Sequence, residues 1–161
     1  RCETLKGQDA PRDFAGAAMV VPEKVQWQAP DGTTIFGQLF RPPGPARAKR
    51  PGVVFVHGGP PRQMLLGFPH MRYYANAYAL NQYLASRGMV VLSVNFRLGI
   101  GYGWDFQHPA TGGPRGASEY QDVLSGARWL QGQADVDPAR IGIWGGSYGG
   151  LLTAQALARN S

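Results

Sequence analysis

The chain has a single cysteine, Cys2, among its 161 residues, so no disulfide can form within it. No apolar run approaches the ~18 residues that a helix needs to span a bilayer. Residues 1–10 are too polar for a signal peptide. One cysteine and three dispersed histidines show no metal-ligand spacing. We therefore expect no metal, no cofactor and no membrane partner, and the sequence leaves the cellular compartment open.

Acidic residues are also few, 10 against 16 basic ones, which gives a formal charge of +6. This charge does not predict a nucleic-acid partner, because the basic residues are scattered. Their densest group lies among prolines in a predicted surface loop: Arg41, Arg47, Lys49 and Arg50. The composition, 43% hydrophobic and 16% charged, is typical of a globular domain and not of a disordered chain.

Apolar patterning predicts both strands and helices. Residues 24–28 and 34–40 alternate polar and apolar side chains around an Asp31–Gly32 turn, which predicts an antiparallel hairpin. Continuous apolar runs at 53–56, 89–94 and 140–144 predict strands covered on both faces, as in a parallel sheet. A turn at Asp137–Pro138 is expected to lead into the last of them.

Helical spacing appears between these runs. It places one predicted face on Tyr73, Ala77, Leu80 and Leu84, with Gly88 ending the helix. A second helix opens at Ser118, with its inward residues at Val123, Leu124, Ala127 and Leu130. The alternation of strand and helix predicts an α/β fold with helices on both faces of a parallel sheet.

The pentad Gly145–Gly149 holds Ser147 between the last strand and a following helix. G-x-S-x-G in that context is typical of the nucleophile elbow of an α/β-hydrolase. Its glycines permit a tight, strained turn that exposes the serine hydroxyl at a helix N-terminus. Ser147 is therefore the candidate nucleophile. The backbone N–H of Tyr148 is a candidate oxyanion-hole donor, while its ring is equally compatible with packing on the sheet.

The segment His57-Gly58-Gly59-Pro60 follows the first buried strand, where α/β-hydrolases place the second oxyanion contact. An ordinary Gly-Pro turn is the alternative. Asp122 is expected to form a structural ion pair or to lie at the surface. All histidines precede Ser147, whereas the triad of this fold runs Ser, acid, His. We therefore expect the acid and the base to lie beyond Ser161.

Taken together, the motifs resemble the prolyl oligopeptidase family of serine peptidases, in its dipeptidyl-peptidase and acylaminoacyl-peptidase branch. The resemblance covers about residues 24–161. Its motifs are Asp31–Gly37, His57–Pro60, Val94–Arg97 with Gly101–Gly103, and Trp144–Gly150. It implies an α/β-hydrolase fold, truncated after the elbow helix, with Ser147 as nucleophile. It also implies an oxyanion hole made by Tyr148 and the His57-Gly58 turn.

The same resemblance implies a preceding β-propeller that limits access to short peptide substrates. Residues 1–22 are then a linker or the tail of that domain, and residues 23–161 are the N-terminal half of the peptidase domain. An esterase or other non-peptidase hydrolase, and a catalytically inactive fragment, are the alternatives. The isolated chain is expected to self-associate through the open edge of its last strand.

Overall fold

A computed structural model describes residues 19–46, 48–113 and 118–160. The strands are β1 (Glu23–Gln28), β2 (Thr34–Phe40), β3 (Arg50–Val56), β4 (Val90–Asn95) and β5 (Val136–Gly145). The helices are α1 (Arg72–Ser86), α2 (Trp104–Gln107), α3 (Ser118–Gln131) and α4 (Tyr148–Asn160). None of these helices has the length and apolar character that a bilayer crossing requires. Residues 1–18, which contain most of the predicted linker, lie outside the described residues, so the predicted domain boundary stays a prediction.

The strands form one mixed sheet in the order β1-β2-β4-β3-β5. β1 and β2 make the predicted antiparallel hairpin, and β2 continues antiparallel onto β4. β3 lies parallel to both β4 and β5. The parallel part therefore brings the C-terminal ends of β3 and β5, which carry the His57 and Ser147 motifs, to the same edge of the sheet.

Both faces of the sheet are covered. Val54, Val56, Leu92 and Val94 belong to the larger core, which also includes buried residues of α3 and α4. The opposite face packs α1 against a second cluster that includes Phe40, Phe55, Tyr74, Tyr78 and Val91. The successive residues of β3 and β4 thus alternate between two cores, which explains why both strands are continuously apolar in sequence. The predicted α/β-hydrolase architecture is confirmed.

The predicted inward face of α1 was right for two of its four residues, Ala77, which is buried, and Leu84, which packs against the second cluster. Tyr73 is 52% exposed and Leu80 is 41% exposed, whereas Tyr74 and Tyr78 are buried. The inward face also contains polar residues, among them Gln82, whose amide bonds to both backbone groups of Val20 at 2.8 Å. Because these buried residues are polar, a search for apolar residues at helical spacing does not detect the whole inward face.

The helix ends as expected. Gly88, at φ 90°, donates its N–H to the carbonyl oxygen of Ala85.

A buried arginine joins α3 to the sheet. Arg97 follows β4 and forms a bidentate ion pair with Asp122 of α3, with its Nη2 2.7 Å from Oδ1. The backbone N–H of Arg97 also donates to Asp122, at 2.8 Å. A second pair with Asp31, in the β1–β2 turn, holds the pKa of that carboxyl down to about 2. The predicted structural role of Asp122 is confirmed.

Strand β5 is longer than predicted, because Asp137 and Pro138 belong to the strand and not to a turn before it. The register of β5 against β3 shifts between Arg50 and Gly52. Within the described residues β5 pairs on one side alone, and Ile141 and Ile143 remain half-buried. An apolar edge strand of this length is a template for pairing with another chain.

We predict that the isolated 161-residue chain self-associates through β5. Lysine at exposed Gly142 is expected to shift it towards monomer, because a charged side chain disfavours edge pairing. A Cβ at Gly142 meets its nearest neighbours at 4.0 Å, so the fold accepts this substitution. Sedimentation velocity of both proteins measures the effect, and a clean monomer of the unsubstituted chain contradicts the prediction.

Candidate active site

Ser147 occupies a strained turn between β5, which ends at Gly145, and α4, which begins at Tyr148. Its φ is 57°, one of two positive values among the described non-glycine residues. Such a conformation costs of order 1–3 kcal/mol and persists where the surrounding structure imposes it. Ser147 is exposed, and its carbonyl accepts the N–H of Leu151 at 3.1 Å, so it caps the helix. This is the geometry expected of a nucleophile elbow.

Glycines allow the elbow to lie directly on the end of β3. A Cβ at Gly145 would lie 2.5 Å from the carbonyl oxygen of Val56. A Cβ at Gly149 would lie 2.6 Å from the carbonyl oxygen of His57, and closer still to that of Val56. Gly150 is under no such constraint, since its nearest neighbour would be 3.5 Å away. Backbone contact with β3 therefore holds the turn that presents Ser147.

The same contact brings Gly58 next to Ser147. A Cβ built on Gly58 would lie 3.0 Å from the Cβ of Ser147 and 3.1 Å from the hydroxyl oxygen of Tyr74. The N–H of Gly58 donates to that hydroxyl, at 3.1 Å. The structure thus brings together the two strand tips expected from the sequence, but with the Gly58 N–H already paired. The oxyanion roles of Gly58 and Tyr148 stay predictions.

His57 is enclosed by the protein. Its imidazole is fully buried and stacks on Phe96, with the ring centroids 4.3 Å apart. Nδ1 lies 2.8 Å from the Gly58 carbonyl, which accepts its proton, and Nε2 has no partner among the described residues. Burial lowers the pKa of His57 to about 4. The imidazole is therefore neutral near pH 7, with no donor left for an oxyanion.

Tyr148 is held through its side chain. Its hydroxyl donates to Glu119 of α3 at 2.5 Å, and lies 3.2 Å from the carbonyl oxygen of Gly113. Glu119 is fully buried and also accepts the Gly113 N–H. Burial and the neighbouring carboxylate raise the pKa of Tyr148 above its ordinary value. Tyr148 is the first residue of α4, so its own N–H has no partner within the helix and is available to an anion.

Tyr74 and Glu119 were not found from the sequence. Tyr74 belongs to the inward face of α1 that the apolar spacing missed. Glu119 carries one weak signal, an acidic residue in the first turn of a helix, which ordinarily indicates only a favourable helix dipole. Both act through contacts between elements distant in sequence.

All three histidines lie in the described part of the chain, and none hydrogen-bonds to Ser147. His70 is exposed in the loop before α1, and His108 stacks on Trp104 with centroids 3.7 Å apart. The described residues therefore contain no assembled serine–histidine pair.

The enclosure of His57 predicts acid sensitivity. In the unfolded chain its pKa is near 6.5, and in the folded protein it is about 4. As the pH falls through this window, the unfolded chain binds a proton that the folded protein does not. The contribution of His57 to the free energy of unfolding, fully present above pH 6.5, then falls by about 3 kcal/mol.

His57→Phe keeps an aromatic ring against Phe96 and is expected to lose this part of the pH dependence. His70→Ala, at an exposed site, is the matched control and is expected to retain it. Urea unfolding at pH 7 and pH 4 measures the difference. If the free energy of unfolding falls equally from pH 7 to pH 4 in the unsubstituted protein and in His57→Phe, this imidazole is not the source of the acid sensitivity.

Comparison with known proteins agrees with this geometry. Residues 76–161, more than half of the chain, match the model of the prolyl oligopeptidase family. The chain is 33% identical to the uncharacterized peptidase YuxL of Bacillus subtilis (strain 168), over 83% of this chain and 19% of that protein. It is also 33% identical to dipeptidyl aminopeptidase BIII of Pseudoxanthomonas mexicana, over 88% of this chain and 20% of that protein.

Among solved structures, an acylaminoacyl peptidase in complex with Z-Gly-Gly-Phe-chloromethyl ketone matches with a TM-score of 0.76 and 31% identity. That match covers 92% of this chain and 23% of the peptidase. The chain therefore spans about a fifth of the length of the relatives it matches. With its sequence, its fold and the elbow at Ser147 in agreement, the chain belongs to the prolyl oligopeptidase family.

Proposed function

We propose that the protein containing this chain is a serine peptidase that cleaves short peptides through an acyl-enzyme on Ser147. The observation that carries the proposal is the exposed serine at φ 57°, placed at the start of α4 and beside Gly58. A non-glycine residue in this conformation between a parallel strand and a helix is otherwise costly. The names of the relatives, which are peptidases, support the same reaction class.

In the proposed reaction the Ser147 hydroxyl attacks the peptide carbonyl, while a histidine accepts its proton and then delivers it to the leaving amine. An acid orients that histidine. We place both outside residues 1–161, because the three histidines here are enclosed, exposed or engaged elsewhere. The Tyr148 N–H, at the helix terminus, stabilises the developing oxyanion. The isolated chain is then expected to be inactive.

The substrate size is inferred from relatives. Dipeptidyl aminopeptidase BIII and the acylaminoacyl peptidase carry names that describe removal of short N-terminal units. Because the family resemblance implies one, we propose a β-propeller upstream of this chain that admits short peptides. Reading the full coding sequence tests both parts: repeats before Arg1, and an Asp followed by a His after Ser161, are the expected result.

The direct test is labelling of the full-length protein with a fluorophosphonate probe. The adduct is expected on Ser147 and is expected to be absent in Ser147→Ala. Ser86→Ala, which removes an exposed hydroxyl at the end of α1, is the matched control and is expected to label normally. Peptide mapping by mass spectrometry locates the adduct. An adduct on another residue, or none, contradicts the assignment of the nucleophile.

A second assay distinguishes a peptidase from an esterase, because a serine in a nucleophile elbow can attack both amides and esters. Paired amide and ester substrates with the same acyl group are compared in the unlabelled full-length enzyme and in Ser147→Ala. Hydrolysis of the amide at a rate that depends on Ser147 supports a peptidase. Turnover of the ester alone would favour the esterase alternative.

A further inference from the structure

Arg62 lies in the loop that follows the His57–Pro60 segment, and its backbone is held at two points. Its N–H donates to the carbonyl of Pro60 at 2.6 Å, and its own carbonyl accepts the N–H of Ile100 at 3.2 Å. A Cβ at Gly99 would lie 2.7 Å from that carbonyl oxygen, so the loop after β4 packs closely against it. The position of Arg62 is thus set by the segments that follow β3 and β4, and it shares the end of β3 with the Ser147 corner.

The guanidinium group of Arg62 has few partners. It lies over the ring of Tyr74, with Cζ 4.0 Å from the centroid, and its Nη1 is 2.9 Å from the sulfur of Met71. A thioether is a weak acceptor, and guanidinium carries five N–H donors. Nε is buried and has no partner among the described residues. Leaving such a donor unpaired is costly, and more so for a charged group.

Three other arginines of the chain have a carboxylate partner. Arg41, Arg97 and Arg140 each form an ion pair with an aspartate. Within the part of the chain that the structure describes, no carboxylate lies within 4.0 Å of Arg62. Arg62 is therefore a partly enclosed cation that has no carboxylate partner among the described residues, and Tyr74 connects it to Gly58 of the Ser147 corner.

A cavity of about 240 Å³ opens beside this cation. Its walls are largely apolar and include Met64, Leu65, Phe68 and Met71. Tyr74 separates the cavity from the nucleophile, because its ring faces Arg62 and its hydroxyl faces Gly58. A ligand group in the cavity would thus lie one side chain away from the Ser147 corner.

We propose that Arg62 binds a carboxylate of the substrate peptide, with the adjoining side chain in the apolar cavity. The planar guanidinium group of arginine pairs with carboxylates in a bidentate manner, which here would use the terminal Nη groups. An extended peptide advances about 3.3 Å per residue, so a carboxylate within a few residues of the scissile bond reaches this site. The proposal rests on the proposed peptidase function, and it makes Arg62 a determinant of specificity.

The test measures peptide binding in the full-length protein carrying Ser147→Ala, so that binding is read without turnover. Two pairs of peptides distinguish the source of the carboxylate: a free C-terminus against its amide, and a glutamate side chain against glutamine. In at least one pair the carboxylate form is expected to bind about tenfold more tightly by calorimetry, as for a charge-assisted hydrogen bond.

Arg62→Gln is expected to abolish that preference, and Arg62→Lys is expected to retain part of it, since lysine keeps the charge but lacks the fork. Arg72→Gln, at an exposed arginine opening α1, is the matched control and is expected to leave the preference unchanged. If Arg62→Gln unfolds, Arg62→Met keeps an aliphatic side chain over Tyr74 and is likewise expected to abolish the preference.

Equal binding of both members of each pair, or a preference that survives in Arg62→Gln and Arg62→Met, would overturn the proposal. Its failure is distinct from failure of the proposed function. If the fluorophosphonate labels Ser147 and no carboxylate preference is found, the proposed subsite is wrong and the assignment of Ser147 as nucleophile still stands.

Discussion

Contact between the elbow and the last carbonyl groups of β3 is the constraint on which the site depends. Gly145 and Gly149 have no side chain, and this is what allows the turn to lie against Val56 and His57. The turn then forces Ser147 to a positive φ and leads into α4, which packs on the same face of the sheet as α3. Without this contact nothing among the described residues would hold a serine in so costly a conformation.

Each side of the elbow is tied to a different helix. Tyr74 of α1 accepts the Gly58 N–H, and Glu119 of α3 accepts the Tyr148 hydroxyl. Since α1 and α3 cover opposite faces of the sheet, the predicted oxyanion corner is supported from both layers. The neutral His57 beneath it contributes packing on Phe96 and not charge.

Much of the fold could be predicted because local sequence patterns indicate its elements. The hairpin, the buried strands and the glycines around Ser147 each have a signature within about ten residues of sequence. The inward face of α1 could be predicted only in part, because Asn81 and Gln82 are polar yet buried. Glu119 and Arg62 could not be predicted, because their partners at Tyr148 and Tyr74 are brought close only by the folded sheet.

The most direct test of the central claim compares alanine at two neighbouring glycines of α4. Gly149→Ala places a Cβ against the backbone of β3, whereas Gly150→Ala has room. Displacing the elbow by about 1 Å is expected to slow fluorophosphonate labelling of Ser147 in the full-length protein by roughly a hundredfold. Gly150→Ala is expected to label at the unsubstituted rate. Equal labelling rates in the two variants would contradict the claim that this contact holds the nucleophile.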